Sequence, residues 1–193
     1  MVEGAVTSDS VGDPRRFRTL EELEHDLRAL PSAPTRRGRV ALIVTRRDGG
    51  RRETLQRVRL TPGAGVPGDA WSRRVEPEGD AQITVMQIDV AQLLANGQPL
   101  TLFGDNLFVD MDLSAANLPT GSRLRLGTAI VAVTPKPHDG CRKFRVRFGA
   151  DALRLVSTPA LRSRNLRGIY MRAVEPGEVA AGDVVEMLST ALR

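Results

Sequence analysis

Leu100-Thr101-Leu102-Phe103-Gly104-Asp105-Asn106-Leu107-Phe108-Val109-Asp110 is followed, after a polar interval, by Arg123-Leu124-Arg125-Leu126-Gly127-Thr128-Ala129-Ile130-Val131-Ala132-Val133. The apolar runs at 100–103, 107–110, 123–126 and 129–133 are each too short for a helix, and glycines punctuate them. Short runs bounded by turn residues read as strands. Arg123-Leu124-Arg125-Leu126 alternates with period two, as a strand with one wet face does. Gly121 and Gly127 mark tight turns on either side of that strand.

Upstream, Gln82-Ile83-Thr84-Val85-Met86-Gln87-Ile88 predicts another strand, leading into a short helix at Asp89–Ala95 that Asn96-Gly97 closes. Val40-Ala41-Leu42-Ile43-Val44 is aliphatic throughout and reads as a strand buried on both faces. The turn Asp48-Gly49-Gly50 folds it back on a second strand carrying Thr54, Gln56, Val58 and Leu60. Pro62–Trp71 is too rich in Gly and Pro for regular structure, and a loop of that length in a small domain points to function. Downstream come Ile169–Val174, a turn at Glu175-Pro176-Gly177-Glu178, and Val184–Leu188. Many short strands with few helices predict a mainly β chain: a closed barrel with a few peripheral helices, since closure removes unpaired edges.

The first 37 residues stand apart. Residues 1–17 show no period and read as a loose arm, and Thr19-Leu20-Glu21-Glu22 is a capping box. Leu20, Leu23, Leu27 and Leu30 follow at helical spacing until Pro31 stops the helix. The organisation expected is an arm with a short helix over 1–37 and a barrel domain over 38–193.

The chain of 193 residues is 41% hydrophobic and 26% charged, which suits one globular domain. It has no uncharged apolar run of about 18 residues to span a membrane and no signal-peptide pattern. A cytoplasmic location is expected. Of the 28 basic residues, two are lysine (Lys136 and Lys143) and the rest arginine, and the net charge is +5. Arginine suits anion recognition. Aromatic content is 4%, too low for a base-stacking platform, so nucleic acid is not the expected partner.

The one cysteine sits in Pro137-His138-Asp139-Gly140-Cys141-Arg142-Lys143-Phe144-Arg145-Val146-Arg147-Phe148. A lone cysteine excludes an internal disulfide and any multi-cysteine metal site. If the segment is extended, Cys141, Lys143, Arg145 and Arg147 share one side. If it is helical, Cys141 and Arg145 are neighbours, while Phe144 and Phe148 pair towards the core. Either way Arg145 lies beside the thiol. Cations favour the thiolate, the form that attacks sulfur or binds a soft metal, and the same cations can hold a phosphate. His138 invites a Cys–His catalytic pair with Cys141.

Several motifs in order resemble the MOSC family, the C-terminal domain of molybdenum cofactor sulfurases. They are Pro67-Gly68-Asp69, Ile83-Thr84-Val85-Met86, Leu102–Val109, Pro119–Gly127, Cys141-Arg142-Lys143-Phe144, and Leu166–Gly177 with Gly182-Asp183. The resemblance covers roughly residues 38–189. It implies a β-barrel and Cys141 as molybdenum ligand or persulfide carrier. It also implies a molybdenum-pterin cofactor held by Arg145, Lys143, Arg147, Asn106, Arg167 and Gly168. Many members read Gly-Asp-x-His-Ala-Gly where this chain has Gly68-Asp69-Ala70-Trp71-Ser72-Arg73, so that histidine is absent. The activities implied are a molybdenum-dependent oxidoreductase or a sulfur transferase. A cofactor-free sulfur-transfer or C–S bond enzyme acting on a small anionic substrate is an alternative, and a non-catalytic basic binding module is another. A small-molecule substrate, and a separate protein supplying sulfur or electrons, are the partners expected.

Overall fold

The structure is a computed structural model that describes residues 10–189. Residues 1–9 of the arm and 190–193 of the barrel domain lie outside the described residues. The strands are β1 (Arg37–Arg46), β2 (Arg52–Leu55), β3 (Arg57–Leu60), β4 (Ile83–Gln87), β5 (Leu107–Asp110), β6 (Arg123–Leu126), β7 (Ala129–Val133), β8 (Ile169–Glu175), β9 (Gly177–Ala180) and β10 (Val184–Ser189). The helices are α1 (Leu20–Ala29), α2 (Ile88–Ala95), α3 (Arg142–Phe148) and α4 (Ala150–Val156).

Seven strands close in the order β1-β10-β6-β7-β8-β4-β5 and back to β1, and β2 extends from the far end of β1. Every pairing is antiparallel except β4 with β5, where Val85 lies opposite Leu107. That parallel pair needs a crossover, which α2 supplies. The strand period of two then divides one sequence between two cores. Ile43, Val85 and Leu107 point into the barrel with Met111, Leu124 and Leu126. Their neighbours Val44, Met86 and Phe108 point outward, against Leu23, Leu27, Phe144, Phe148 and Leu155 of the helices. Where β1, β4 and β5 are buried on both faces they are apolar, as at Ile43–Val44, Val85–Met86 and Leu107–Val109.

Four sequence expectations are corrected. Leu100–Phe103 is not a strand: Leu100–Leu102 is a 3-10 turn that sends Leu102 and Phe103 into the outer core. The second strand of the first hairpin splits at Gln56, so that β2 pairs with β1 while β3 leaves to pair with β9. The turn read at 175–178 shrinks to Pro176, because Gly177 already belongs to β9. Residues 10–17 are tied down rather than loose. Gly12 N–H donates to the Val146 carbonyl, and Asp13 N–H to Gln98 Oε1 at 2.7 Å. Among the described residues, no helix is long and apolar enough to cross a membrane.

The capping box forms as its sequence implies. Thr19 Oγ1 accepts from Glu22 N–H at 3.3 Å, and Glu22 Oε2 accepts from Thr19 N–H at 2.8 Å. Thr19→Ala is expected to lower stability by about 1 kcal/mol in a urea titration, with Thr19→Ser close to wild type.

Candidate functional site

Helix α3 settles the conformation of the cysteine segment. Cys141 is its N-cap residue, and its carbonyl accepts from Arg145 N–H at 3.1 Å. The thiol is exposed. Phe144 and Phe148 turn inward, where they pack on each other and on Phe103. Lys143 and Arg145 are exposed on the outer face. Arg147 is not on that face. It is buried, and its Nε donates to the Ser10 carbonyl at 3.4 Å, so it anchors the N-terminal strap instead.

The loop ahead of the thiol is fixed at two points. Gly140 lies so close to α4 that a Cβ there would come 2.4 Å from Leu153. His138 turns into the protein: its side chain is 7% exposed, its ring centroid is 4.5 Å from that of Tyr170, and its Nε2 is 3.7 Å from Asp105 Oδ1. It makes no hydrogen bond to Cys141. The structure therefore brings His138 together with Asp105 and Tyr170, and not with the sulfur. Burial, reinforced by the charge of Arg167 and opposed by that of Asp105, pushes His138 down to about 3, so the ring is neutral at physiological pH.

Asp105 is 1% exposed and takes Arg167 Nη1 on Oδ2 at 2.7 Å. The Arg167 guanidinium also lies over the Phe144 ring at 5.3 Å and the Phe103 ring at 6.0 Å. One oxygen of the acid, Asp105 Oδ1, has no hydrogen bond, nor do His138 Nδ1 and Arg167 Nε. Gly168 follows at φ +98°, where a Cβ would come 2.2 Å from the Val85 carbonyl oxygen. Its absent side chain lets the chain cross β4 and so sets Arg167 in place.

A second polar cluster lies alongside. Arg46, at the end of β1, grips Asp69 through Nε (3.0 Å) and Nη2 (2.5 Å), and its Nη2 also reaches Asn106 Oδ1 at 3.3 Å. Burial works to raise Asp69, but the hydrogen bonds and charge of Arg46 outweigh it and hold the carboxyl below its usual range. Asn106 is fully buried and spends its amide on Thr84 and the Val44 carbonyl, knitting β1, β4 and β5 together. Between these groups opens a cavity of about 110 Å³, lined by Arg46, Trp71, Arg74, Glu78, Ala81, Thr84, Lys136 and Tyr170. Lys136 Nζ sits 2.5 Å from Glu78. Burial raises the Tyr170 hydroxyl; Asp105 acts the same way, against the charges of Arg167, Lys136 and Arg46. The two clusters thus share one electrostatic environment.

Of the residues singled out from sequence, Asn106, Arg167, Gly168 and His138 converge on the buried clusters. Cys141, Lys143 and Arg145 lie on the outer surface of the α3 end, and Arg147 lies on the strap side. Arg46, Arg74, Asp105, Lys136 and Tyr170 had been given no role. Asp105 and Tyr170 lay inside motifs already quoted, next to Asn106 and two residues after Gly168, and were the two that could have been found.

A closed seven-stranded barrel with outer helices, a single exposed thiol at a helix start and a small cationic cavity behind its loop defines a compact class of β-barrel proteins. The chain belongs to the MOSC domain family, whose model matches residues 69–186. Solved structures agree on the fold. The YuaD protein of Bacillus subtilis superimposes with a TM-score of 0.57 at 17% identity, covering 78% of this chain and 95% of that one. YiiM from Escherichia coli gives 0.54 at 21% identity, covering 80% and 72%. YiiM from Geobacillus stearothermophilus gives 0.53 at 17% identity, covering 79% and 75%. No curated protein matches the sequence.

Proposed function

We propose that this MOSC protein carries sulfur on Cys141 and delivers it to a small anionic acceptor. The observation that carries the reading is the position of the thiol. It is the exposed N-cap of α3, at the end of a loop that buried His138 and tightly packed Gly140 hold still, with the exposed Arg145 one helical turn on. An exposed, cation-flanked sulfur on a fixed loop can be reached by a donor protein. In the loading step the Cys141 thiolate attacks the outer sulfur of a donor persulfide. A new S–S bond forms, the donor's S–S bond breaks, and the donor leaves as its thiolate. His138 acts here as a positioning residue: neutral and turned away from the sulfur, it sets the loop rather than taking the proton.

A molybdenum-pterin group, which the family implies, is larger than this cavity can enclose, and none of the residues expected to hold it lines the cavity. About 110 Å³ is well short of the roughly 300–1,000 Å³ that enclose ligands of such size. No step is assigned to that group.

Incubation with a cysteine desulfurase and cysteine is expected to add sulfur to Cys141, read by intact-protein and peptide mass spectrometry, and Cys141→Ser is expected to add none. Unmodified Cys141 in the presence of an active desulfurase would count against the proposal.

A further inference from the structure

We infer that the cavity behind the cysteine loop is a binding site for a single small tetrahedral oxyanion of phosphate or sulfate size. The inference rests on the proposed action on a small anionic substrate, but not on the sulfur chemistry of Cys141. Size comes first. About 110 Å³ is the space of roughly four waters, and the Trp71 indole, itself 5% exposed, forms one wall.

The donors come next. Arg46 spends Nε and Nη2 on Asp69 and Asn106, which leaves Nη1 without a partner among the described residues. Of Arg74 the backbone N–H alone is engaged, donating to the Trp71 carbonyl; its side chain makes no hydrogen bond or ion pair among the described residues. The Tyr170 hydroxyl has no partner there either, and Lys136 is engaged through one contact, with Glu78. Thr84 and Trp71 are already committed, to Asn106 and to the Glu78 carbonyl. The open groups on the lining are therefore three cations and a phenol.

Charge points the same way. Among the described residues Arg46 pairs with Asp69 and Lys136 with Glu78, while Arg74 on the same lining has no carboxylate within ion-pair distance. Arg46 is also pre-oriented by its two-point grip on Asp69, so it loses little freedom when an anion arrives. A tetrahedral oxyanion presents several acceptors within the reach of such a donor set. A chloride ion presents no such directional set.

The test is isothermal titration calorimetry of the full chain with sodium phosphate and sodium sulfate, with ionic strength held constant by sodium chloride. Saturable binding is expected for the wild type, at least tenfold weaker in Arg74→Ala and measurably weaker in Tyr170→Phe. Arg28→Ala, which removes the same charge from the far side of the protein, is expected to bind like wild type. Phenyl phosphate, which shares the head group but not the size, is expected to bind more weakly than phosphate. Absence of saturable binding, equal loss in Arg28→Ala, or tighter binding of phenyl phosphate would each overturn the inference. The two readings fail separately. A protein that binds phosphate but takes up no sulfur defeats the sulfur carrier alone, and one that loads sulfur but binds no oxyanion defeats the cavity site alone.

Discussion

Asp105→Ala is expected to cost the fold about 3–5 kcal/mol, the largest loss from any single polar side chain of the site. Asp105 and Arg167 are both nearly sealed from water, and their contact of 2.7 Å is the one direct charge pairing that either makes. With the acid gone, the guanidinium stays between the Phe103 and Phe144 rings with no carboxylate to offset its lost hydration. Asp105→Asn keeps an oxygen acceptor but not the charge, and should fall between alanine and wild type. Asp105→Leu with Arg167→Met removes both charges from a largely apolar setting, and should recover much of the loss. Urea titrations of wild type, Asp105→Leu, Arg167→Met and the double variant form a cycle whose coupling energy reports the pair. Because the pair is buried, added salt should leave that coupling nearly unchanged. Additive effects in the cycle, or a loss below about 1 kcal/mol for Asp105→Ala, would show that the pair is not a working unit.

This pair also marks where the sequence stops being readable. The barrel was legible because strand length, apolar continuity and glycine spacing are local signals: Val40–Val44, Ile83–Gln87 and Ala129–Val133 need no partner to be recognised. Leu100–Phe103 misled for the same reason, since four residues of high strand propensity between Pro99 and Gly104 serve equally well in a 3-10 turn that feeds the outer core. Gln56 gave no sign that β3 would desert β1 for β9, a choice made by tertiary pairing alone.

At the site, Cys141 could be found because cysteine is unique in the chain, and Arg145 because both secondary-structure periods put it there. Arg147 was misplaced by the extended alternative; the helix rotates it away to hold Ser10. The cavity cations could not be assembled from sequence. Arg46 arrives at the end of β1, Arg74 in the segment after Trp71, Lys136 after β7 and Tyr170 within β8, and only closure of the barrel brings them to one opening. With arginine so abundant in the chain, no local pattern distinguished these from the solvated ones.

Lowering the pH should expose the buried histidine as a stability switch. His138 titrates near 6.5 when unfolded but only near 3 in the folded chain, so between those values the unfolded state binds the extra proton. Stability therefore rises with pH across that window and falls as the solution is acidified. The groups facing the ring set the balance: burial against Tyr170 and the positive charges of Arg167 and Arg46 oppose protonation, and the Asp105 carboxylate alone favours it. From pH 7 to pH 4 this one side chain should remove about 3 kcal/mol of stability. His138→Gln cannot take up the proton. Urea midpoints for this variant should change less between those pH values than wild type does, by about that amount, whatever its stability at pH 7. Since His138 holds the loop that ends at Cys141, the same acidification should release the loop before the barrel opens, and amide exchange at residues 136–142 should rise ahead of exchange in β4 and β5. Parallel pH profiles for wild type and His138→Gln would mean that the imidazole is not buried neutral beside Asp105, and the positioning role assigned to it would fall.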